Sequence, residues 1–327
     1  MIPSSSNPVA GGNAVVLSGG ASLGASQVGM MKALVEAGVE VDCLVGTSAG
    51  AINAAWMAGD PSMDGLDRLA RTWIGLRRRD VFPVSPWHGL FAAAGRRRSL
   101  VSDSGLRRLL EQYLAFDLLE SAPIPVHVVA VDVLSGLDVL LSTGPALEAV
   151  LASASIPGVL PPVEIGGRWY MDGGVINNTP ISHAAQLGAG TIWVLPAGYP
   201  CALSSPPRTA LGMALQGLST LIEHRIGLDV GLWKGTTPLK VVPPLCPITV
   251  SPADFSQASD LIRRAYVSTR DWLAAGCPDV GPSLGTHRHD RVGSDPVPLA
   301  APDLEHGGPS ADRELQLGHR SQKRPIR

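Results

Sequence analysis

Ser48 sits between two glycines in Gly46-Thr47-Ser48-Ala49-Gly50, just after the apolar run Val41-Asp42-Cys43-Leu44-Val45 and before the helix-forming stretch Ala51 to Ala58. A strand that bends sharply into a helix at a serine leaves that hydroxyl exposed on a strained backbone. The glycines two before and two after remove Cβ atoms that would collide across the bend. That is the spacing of a nucleophile elbow; its plainer reading is a tight turn with serine as helix N-cap. A serine hydroxyl attacks a carbonyl only when a base accepts its proton and preorganised donors hold the oxyanion. Candidate donors are the main-chain amides of Gly19-Gly20-Ala21, a glycine-rich turn at the mouth of a helix. The competing reading is a turn made for close strand-helix packing.

The base is the harder assignment. Ser-His-Asp triads on α/β-hydrolase folds run serine, acid, histidine along the chain. His127 lies within a buried-strand pattern and His183 on a helix three residues after Pro180, so both read as hydrogen-bonded structural histidines. Asp172-Gly173-Gly174 instead follows a short strand directly, and its paired glycines let the backbone approach another loop. A carboxylate there could accept the Ser48 proton, although a bare D-G-G is most simply a tight turn. An aspartate near its ordinary pKa of about 3.9 is a weak base, so it must be partly desolvated yet ionised.

The elements that must present these residues read as α/β. Asn13 to Ser18 is a short buried strand running into Gly19-Gly20-Ala21-Ser22-Leu23-Gly24, and the helix after it ends at Gly38. With the strand before Ser48 this makes a βαβ unit, which requires a parallel crossover. Strands are expected at Val126 to Asp132, Val139 to Ser142, Arg168 to Met171 and Thr191 to Leu195, with an edge strand at Leu239 to Val242. Helices are expected at Pro145 to Ser153, Pro180 to Leu187, Leu211 to Val230 and Phe255 to Ala275. Gly19, Ala21 and Gly24 also fit G-x-G-x-x-G, with Asp42 about 20 residues on. But Ala21 stands where a glycine should admit a pyrophosphate, and Asp42 opens its strand where a ribose-binding acid should close one.

From residue 60 to 122 the pattern turns to short amphipathic helices, a lid-like insertion. Its basic clusters Arg77-Arg78-Arg79 and Arg96-Arg97-Arg98 bracket Phe82, Trp87, Leu90 and Phe91. Basic residues interleaved with aromatics suit peripheral contact with an anionic lipid surface; the alternative is a solvated helical insertion with locally paired arginines. Residues 1–12 read as a flexible N-terminus, 13–276 as the globular domain and 277–327 as a disordered tail. The tail has no aromatic residues and is too poor in apolar ones to offset its ordering entropy. His287-Arg288-His289 within it is at most a weak metal-binding pattern.

A composition 45% apolar and 17% charged suits a soluble, core-forming protein, and a net charge of -2 offers no polycationic surface for nucleic acid. Cys43, Cys201, Cys246 and Cys277 form neither a C-x-x-C pair nor a metal spacing and read as reduced and structural. No apolar run approaches the roughly 18 residues of a membrane span, and no signal-peptide pattern precedes the first strand. A cytoplasmic or peripherally membrane-associated protein is expected.

Four ordered blocks together resemble the patatin-like phospholipase family, lipid acyl hydrolases that use a Ser-Asp dyad in place of a triad. They are Leu17 to Ala25, Gly46 to Gly50, Ala152-Ser153-Ala154-Ser155-Ile156-Pro157-Gly158-Val159-Leu160-Pro161-Pro162, and Met171-Asp172-Gly173-Gly174-Val175-Ile176-Asn177-Asn178-Thr179-Pro180. The likeness spans about Asn13 to Leu195 and reaches weakly toward Gly276. It implies a three-layer α/β/α sandwich with a mostly parallel central sheet, Ser48 as nucleophile, Asp172 as base, and the Gly19, Gly20 and Ala21 amides as oxyanion hole. It also implies a lipid or small-ester substrate, an acyl-enzyme, and no metal or cofactor. Two positions depart from the family's pattern: Ala21 replaces a third glycine, and Leu23 replaces a Lys or Arg. Two other readings stand beside it, a triad-type α/β-hydrolase esterase and a non-catalytic lipid-binding protein of the same fold.

Overall fold

The computed structural model of the chain describes residues 11–83, 98–203, 205–231, 233 and 235–279. Trp87, Leu90, Phe91, Arg96, Arg97, His88, nearly all of the expected flexible N-terminus and the tail beyond residue 279 lie outside the described residues.

The apolar run Ala14-Val15-Val16-Leu17 is buried on both sides, as the central strand of a parallel sheet must be. This strand, β1 (Asn13–Leu17), lies between β2 (Cys43–Thr47) and β7 (Thr191–Leu195), and pairs parallel with both. Beyond β7 lies β8 (Leu239–Val241), also parallel; beyond β2 lies β3 (Val126–Asp132), parallel again. Three antiparallel strands complete the sheet: β4 (Asp138–Leu141) and β6 (Arg168–Asp172) on β3, and β5 (Val163–Ile165) on β6. The eight-stranded, mostly parallel sheet is the expected α/β architecture. β5 is an addition to the expected strands; it is short, and its hairpin with β6 turns on Gly166 and Gly167, both at positive φ.

Alternate residues of β1 and β2 face different cores. Val15, Leu17 and Leu44 pack with α1 (Ala25–Glu36), α2 (Ala49–Gly59), α3 (Met63–Gly75), α6 (Ala146–Ser153) and α9 (Ala258–Ala274), with α4 (Arg78–Val81) and α5 (Ser104–Tyr113) at the rim of that layer. Val16 and Val45 pack on the other face with α7 (Ile181–Gln186), and Val230 of α8 (Ala210–Gly231) lies against that core. Cys43 belongs to this second core, where burial, reinforced by the Asp42 charge, pushes its thiol up to about 12.

Within residues 60–122, α3 begins at Ser62, whose hydroxyl accepts the Gly65 N–H at 3.0 Å, and buries Leu66, Leu69 and Trp73. Phe82, expected among surface aromatics, is buried against Phe255 instead. Arg77, Arg78 and Arg79 are exposed, while Arg98 lies over the Trp169 ring, 4.7 Å from its centroid. Among the described residues no helix is long and apolar enough to cross a membrane.

Candidate active site

Three segments converge at the ends of the central strands: the turn after β1, the bend after β2 and the end of β6. Ser48 occupies the bend with φ 54° and ψ -123°, a conformation that L residues rarely adopt and that costs on the order of 1–3 kcal/mol to hold. The flanking glycines make the bend sterically feasible. A Cβ on Gly46 would fall 2.5 Å from the Gly50 carbonyl oxygen, and one on Gly50 would fall 2.2 Å from that of Leu17. Ser48 stands at the N-cap of α2, but its side chain makes no capping bond. Its hydroxyl donates to Asp172 Oδ2 at 2.7 Å instead, so the N-cap reading fails on geometry.

Asp172 ends β6 and divides its two oxygens. Oδ1 accepts the Gly174 N–H at 2.7 Å, which is the tight turn that a D-G-G suggests, and this frees Oδ2 for Ser48. A Cβ on Gly173 would lie 2.3 Å from Val129 O, so this glycine lets the turn lie on β3. Asp172 as a whole is 4% exposed. Burial pushes its pKa up to about 6, against the Ser48 and Gly174 hydrogen bonds that pull it down. A carboxylate so placed is ionised at neutral pH and still basic enough to take a proton in a transition state.

The glycine turn stands beside the serine. A Cβ on Gly19 would lie 2.9 Å from Ser48 Cβ, and one on Gly20 would meet Ala197 Cβ at 2.4 Å. Gly20 has φ 177° and ψ 12° and Ala21 has φ 49°, opening a single 3-10 turn (Ala21–Gly24) ahead of α1. Of the three expected donors, Gly19 N–H is engaged, donating to Asn178 O at 3.2 Å. The Gly20 and Ala21 amides make no such bond among the described residues.

Both histidines lie elsewhere. His127 Nδ1 is 2.7 Å from Ser142 Oγ, and burial, followed by the neighbouring His183, lowers its pKa to about 4. His183 Nε2 is 2.8 Å from Asp138 Oδ2, which also accepts from Asn177 Nδ2 at 2.9 Å. Neither ring is hydrogen-bonded to Ser48 or Asp172. Among the described residues no group of three or more His, Cys, Asp or Glu is arranged to hold a metal ion.

Sequence reasoning missed Ser153. Its hydroxyl accepts the Ser48 N–H at 2.9 Å and donates to Val129 O at 2.6 Å, tying the strained bend to β3. Position gave the only available signal, since Ser153 falls inside one of the four blocks. From Ser48 a narrow cleft of about 60 Å³ runs between α2, α3, α5 and the segment that follows α6, lined by Ile52, Trp73, Leu106, Leu110, Leu160 and Phe255 among others. Its walls are almost wholly apolar, so it suits a hydrocarbon chain better than a polar ligand.

The model of the patatin-like phospholipase family matches residues 15–185, just over half of the chain. The chain therefore belongs to that family. Human patatin-like phospholipase domain-containing protein 6 is 31% identical over 187 residues, covering 57% of this chain and 13% of that protein. An uncharacterized NTE family protein of Mycobacterium tuberculosis is 33% identical over 172 residues, covering 51% of this chain and 27% of the relative. The chain thus spans well under half the length of these two relatives. Among solved structures, VipD of Legionella pneumophila aligns with a TM-score of 0.42 and 15% identity, over 81% of this chain and 67% of that one. Human GIVD cytosolic phospholipase A2 aligns at 0.40 and 12%, over 83% and 59%.

Proposed function

We propose that the chain is a serine lipid acyl hydrolase that cleaves carboxylic esters through a Ser48-Asp172 dyad and an acyl-enzyme. The observation that carries this reading is the 2.7 Å hydrogen bond from Ser48 Oγ to a buried carboxylate at the head of an apolar cleft. Membership of a phospholipase family supports it. Ser48 Oγ attacks the ester carbonyl carbon as its proton passes to Asp172 Oδ2, and the Gly20 and Ala21 amides stabilise the resulting oxyanion. The intermediate collapses, the alcohol leaves with the proton from Asp172, and the acyl group remains on Ser48. Water then loses a proton to the same carboxylate and attacks the acyl-enzyme, and a second collapse releases the fatty acid as the proton passes from Asp172 back to Ser48 Oγ. Each oxyanion donor is worth roughly 2.7–4 kcal/mol in such sites.

The substrate reading extends to a lipid with its acyl chain in the cleft. Peripheral contact with a membrane surface is proposed at α3 and α4, where Ile74, Arg77, Arg78 and Arg79 are all exposed. A fluorophosphonate probe together with a panel of phospholipids, lysophospholipids and short neutral esters tests the activity on wild type beside Ser48→Ala. Labelling and turnover of wild type alone are expected. A wild type that neither labels nor turns over any ester defeats the reading in favour of a non-catalytic lipid-binding protein.

A further inference from the structure

The loop from β6 to α7 carries Asp172 at its start and two asparagines near its end, and the asparagines reach both other segments of the site. Thr47 Oγ1 donates to Asn177 O at 3.0 Å, next to the nucleophile. Gly19 N–H donates to Asn178 O at 3.2 Å, and Asn178 Nδ2 donates back to Gly19 O at 3.2 Å. One buried asparagine therefore holds both main-chain polar groups of Gly19, and Ser18 Oγ adds a second donor to Gly19 O at 3.3 Å.

The second of these bonds has a geometric consequence at the next residue. In a trans peptide the C=O and the following N–H point in opposite directions, and the Gly19-Gly20 bond is trans. Donors that fix Gly19 O on one side therefore turn Gly20 N–H to the other. A glycine pair has little intrinsic preference for one peptide orientation, so an external restraint is needed. The Cβ position missing from Gly19 lies 2.4 Å from Asn178 Oδ1 and 2.9 Å from Ser48 Cβ, so the amide and the nucleophile flank the same Cα. Asn178 Oδ1 itself is buried without a partner among the described residues. Burying an unpaired carbonyl is costly, and an apolar side chain of the same size would avoid that cost. What the amide alone supplies is the Nδ2 donor.

We propose that Asn178 is the positioning residue of the oxyanion site, holding the Gly19-Gly20 peptide so that the Gly20 N–H faces the oxygen on which charge develops. The inference rests on the hydrolase reading and gives a role to a residue that reading leaves without one. It requires that losing the Nδ2 donor weaken transition-state binding and leave ground-state binding nearly untouched.

The test compares Asn178→Leu and Asn178→Asp with wild type and Ser48→Ala in kcat, KM, melting temperature and rate of fluorophosphonate inactivation. Phosphonylation of the serine also places a negative oxygen in the oxyanion site. Loss of one such donor typically lowers kcat by about 10²–10³-fold, and misaiming one is expected to cost about 10–100-fold. For Asn178→Leu, kcat and the inactivation rate should fall by the same factor, with KM within about threefold of wild type. Asn178→Asp preserves the shape of the side chain, so it carries the test if the leucine variant does not fold. It should show the same loss at pH 8. Its acid limb should also move to higher pH, because the new carboxylate flanks Gly174 together with Asp172. Wild-type kcat in either folded variant, a fall in kcat without slower inactivation, or a rise in KM matching the fall in kcat overturns the assignment alone. A wild type as inert to the probe as Ser48→Ala overturns the hydrolase reading and this one with it.

Discussion

Thr47 and Asp172 are registered on consecutive residues of β3, Thr47 opposite Val129 and Asp172 opposite Ala130. β4 takes the other edge of the same strand, pairing with both Val129 and Ala130. β2 arrives parallel and β6 antiparallel along one edge, and they meet end to end where Ser48 follows Thr47. The Ser48–Asp172 distance is thus set by the hydrogen-bond ladder of the sheet, which holds its spacing far better than a free loop does.

From that rigidity follows the first prediction. Ser48→Ala should abolish ester hydrolysis, and Asp172→Asn should lower kcat by about 10²–10⁴-fold, the usual worth of a positioned general base. His183→Ala should keep kcat within about threefold of wild type, since its ring bonds to Asp138 and not to Ser48. Steady-state rates on a short-chain ester check all three. A loss in His183→Ala as severe as in Ser48→Ala would favour a triad. In wild type, kcat/KM should rise with pH through an acid limb near 6, where Asp172 ionises.

Stability should respond to the same residue in the opposite sense. The pKa of folded Asp172 is raised from 3.8 to about 6, so its contribution is fully present below the unfolded value and is lost as pH rises through about 6. Ionising this buried group in the folded protein costs on the order of 3 kcal/mol by the standard conversion of pKa shift to free energy. Asp172→Asn should therefore melt at a higher temperature than wild type at pH 8, with the gap closing by about pH 4. Calorimetric scans at the two pH values check this, and an unchanged gap would show that ionisation is not its cause.

Ser153 should matter for stability more than its small side chain suggests. Its hydroxyl is the partner of the Ser48 N–H within a bend already under strain. Ser153→Ala leaves that buried donor unpaired, at a cost of about 1–3 kcal/mol. Urea unfolding should show the loss as a lower midpoint with an unchanged slope. An alanine variant as stable as wild type would mean that the bend needs no such support.

Most strands, and the approach of Ser48 to Asp172, were legible because the signals are local. β1 and β7 are short apolar runs bounded by turn residues, and Ser48 and Asp172 each follow a strand directly and carry glycines at fixed offsets. The partner of the Gly19 amide was not legible, for the opposite reason. Its partner, Asn178 O, lies more than 150 residues away, and no local pattern reports a main-chain acceptor at that separation. Ser153 was missed on the same ground. Phe82 was read as a surface aromatic because arginines surround it in sequence, yet its ring packs on Phe255 from a different part of the chain. A three-residue strand such as β5 is shorter than any periodicity can resolve, and only its pairing with β6 defines it.

The cleft makes the last prediction, and it concerns chain length. Ile52 lies one turn beyond Ser48 on α2 and lines the cleft while remaining half-buried. Each acyl methylene moved from water into that apolar wall contributes about 0.8 kcal/mol, so kcat/KM of wild type should climb about fourfold per methylene until the cleft is filled. An indole at position 52 takes up space that the chain needs and leaves the dyad in place. Ile52→Trp should keep activity on acetyl esters within about threefold of wild type and lose more than about tenfold on esters of eight carbons or longer, chiefly through KM. A series of p-nitrophenyl esters from two to sixteen carbons reads this out directly. Equal losses at every chain length would indicate damage to the dyad, whereas no loss at any length would remove the cleft from the acyl path.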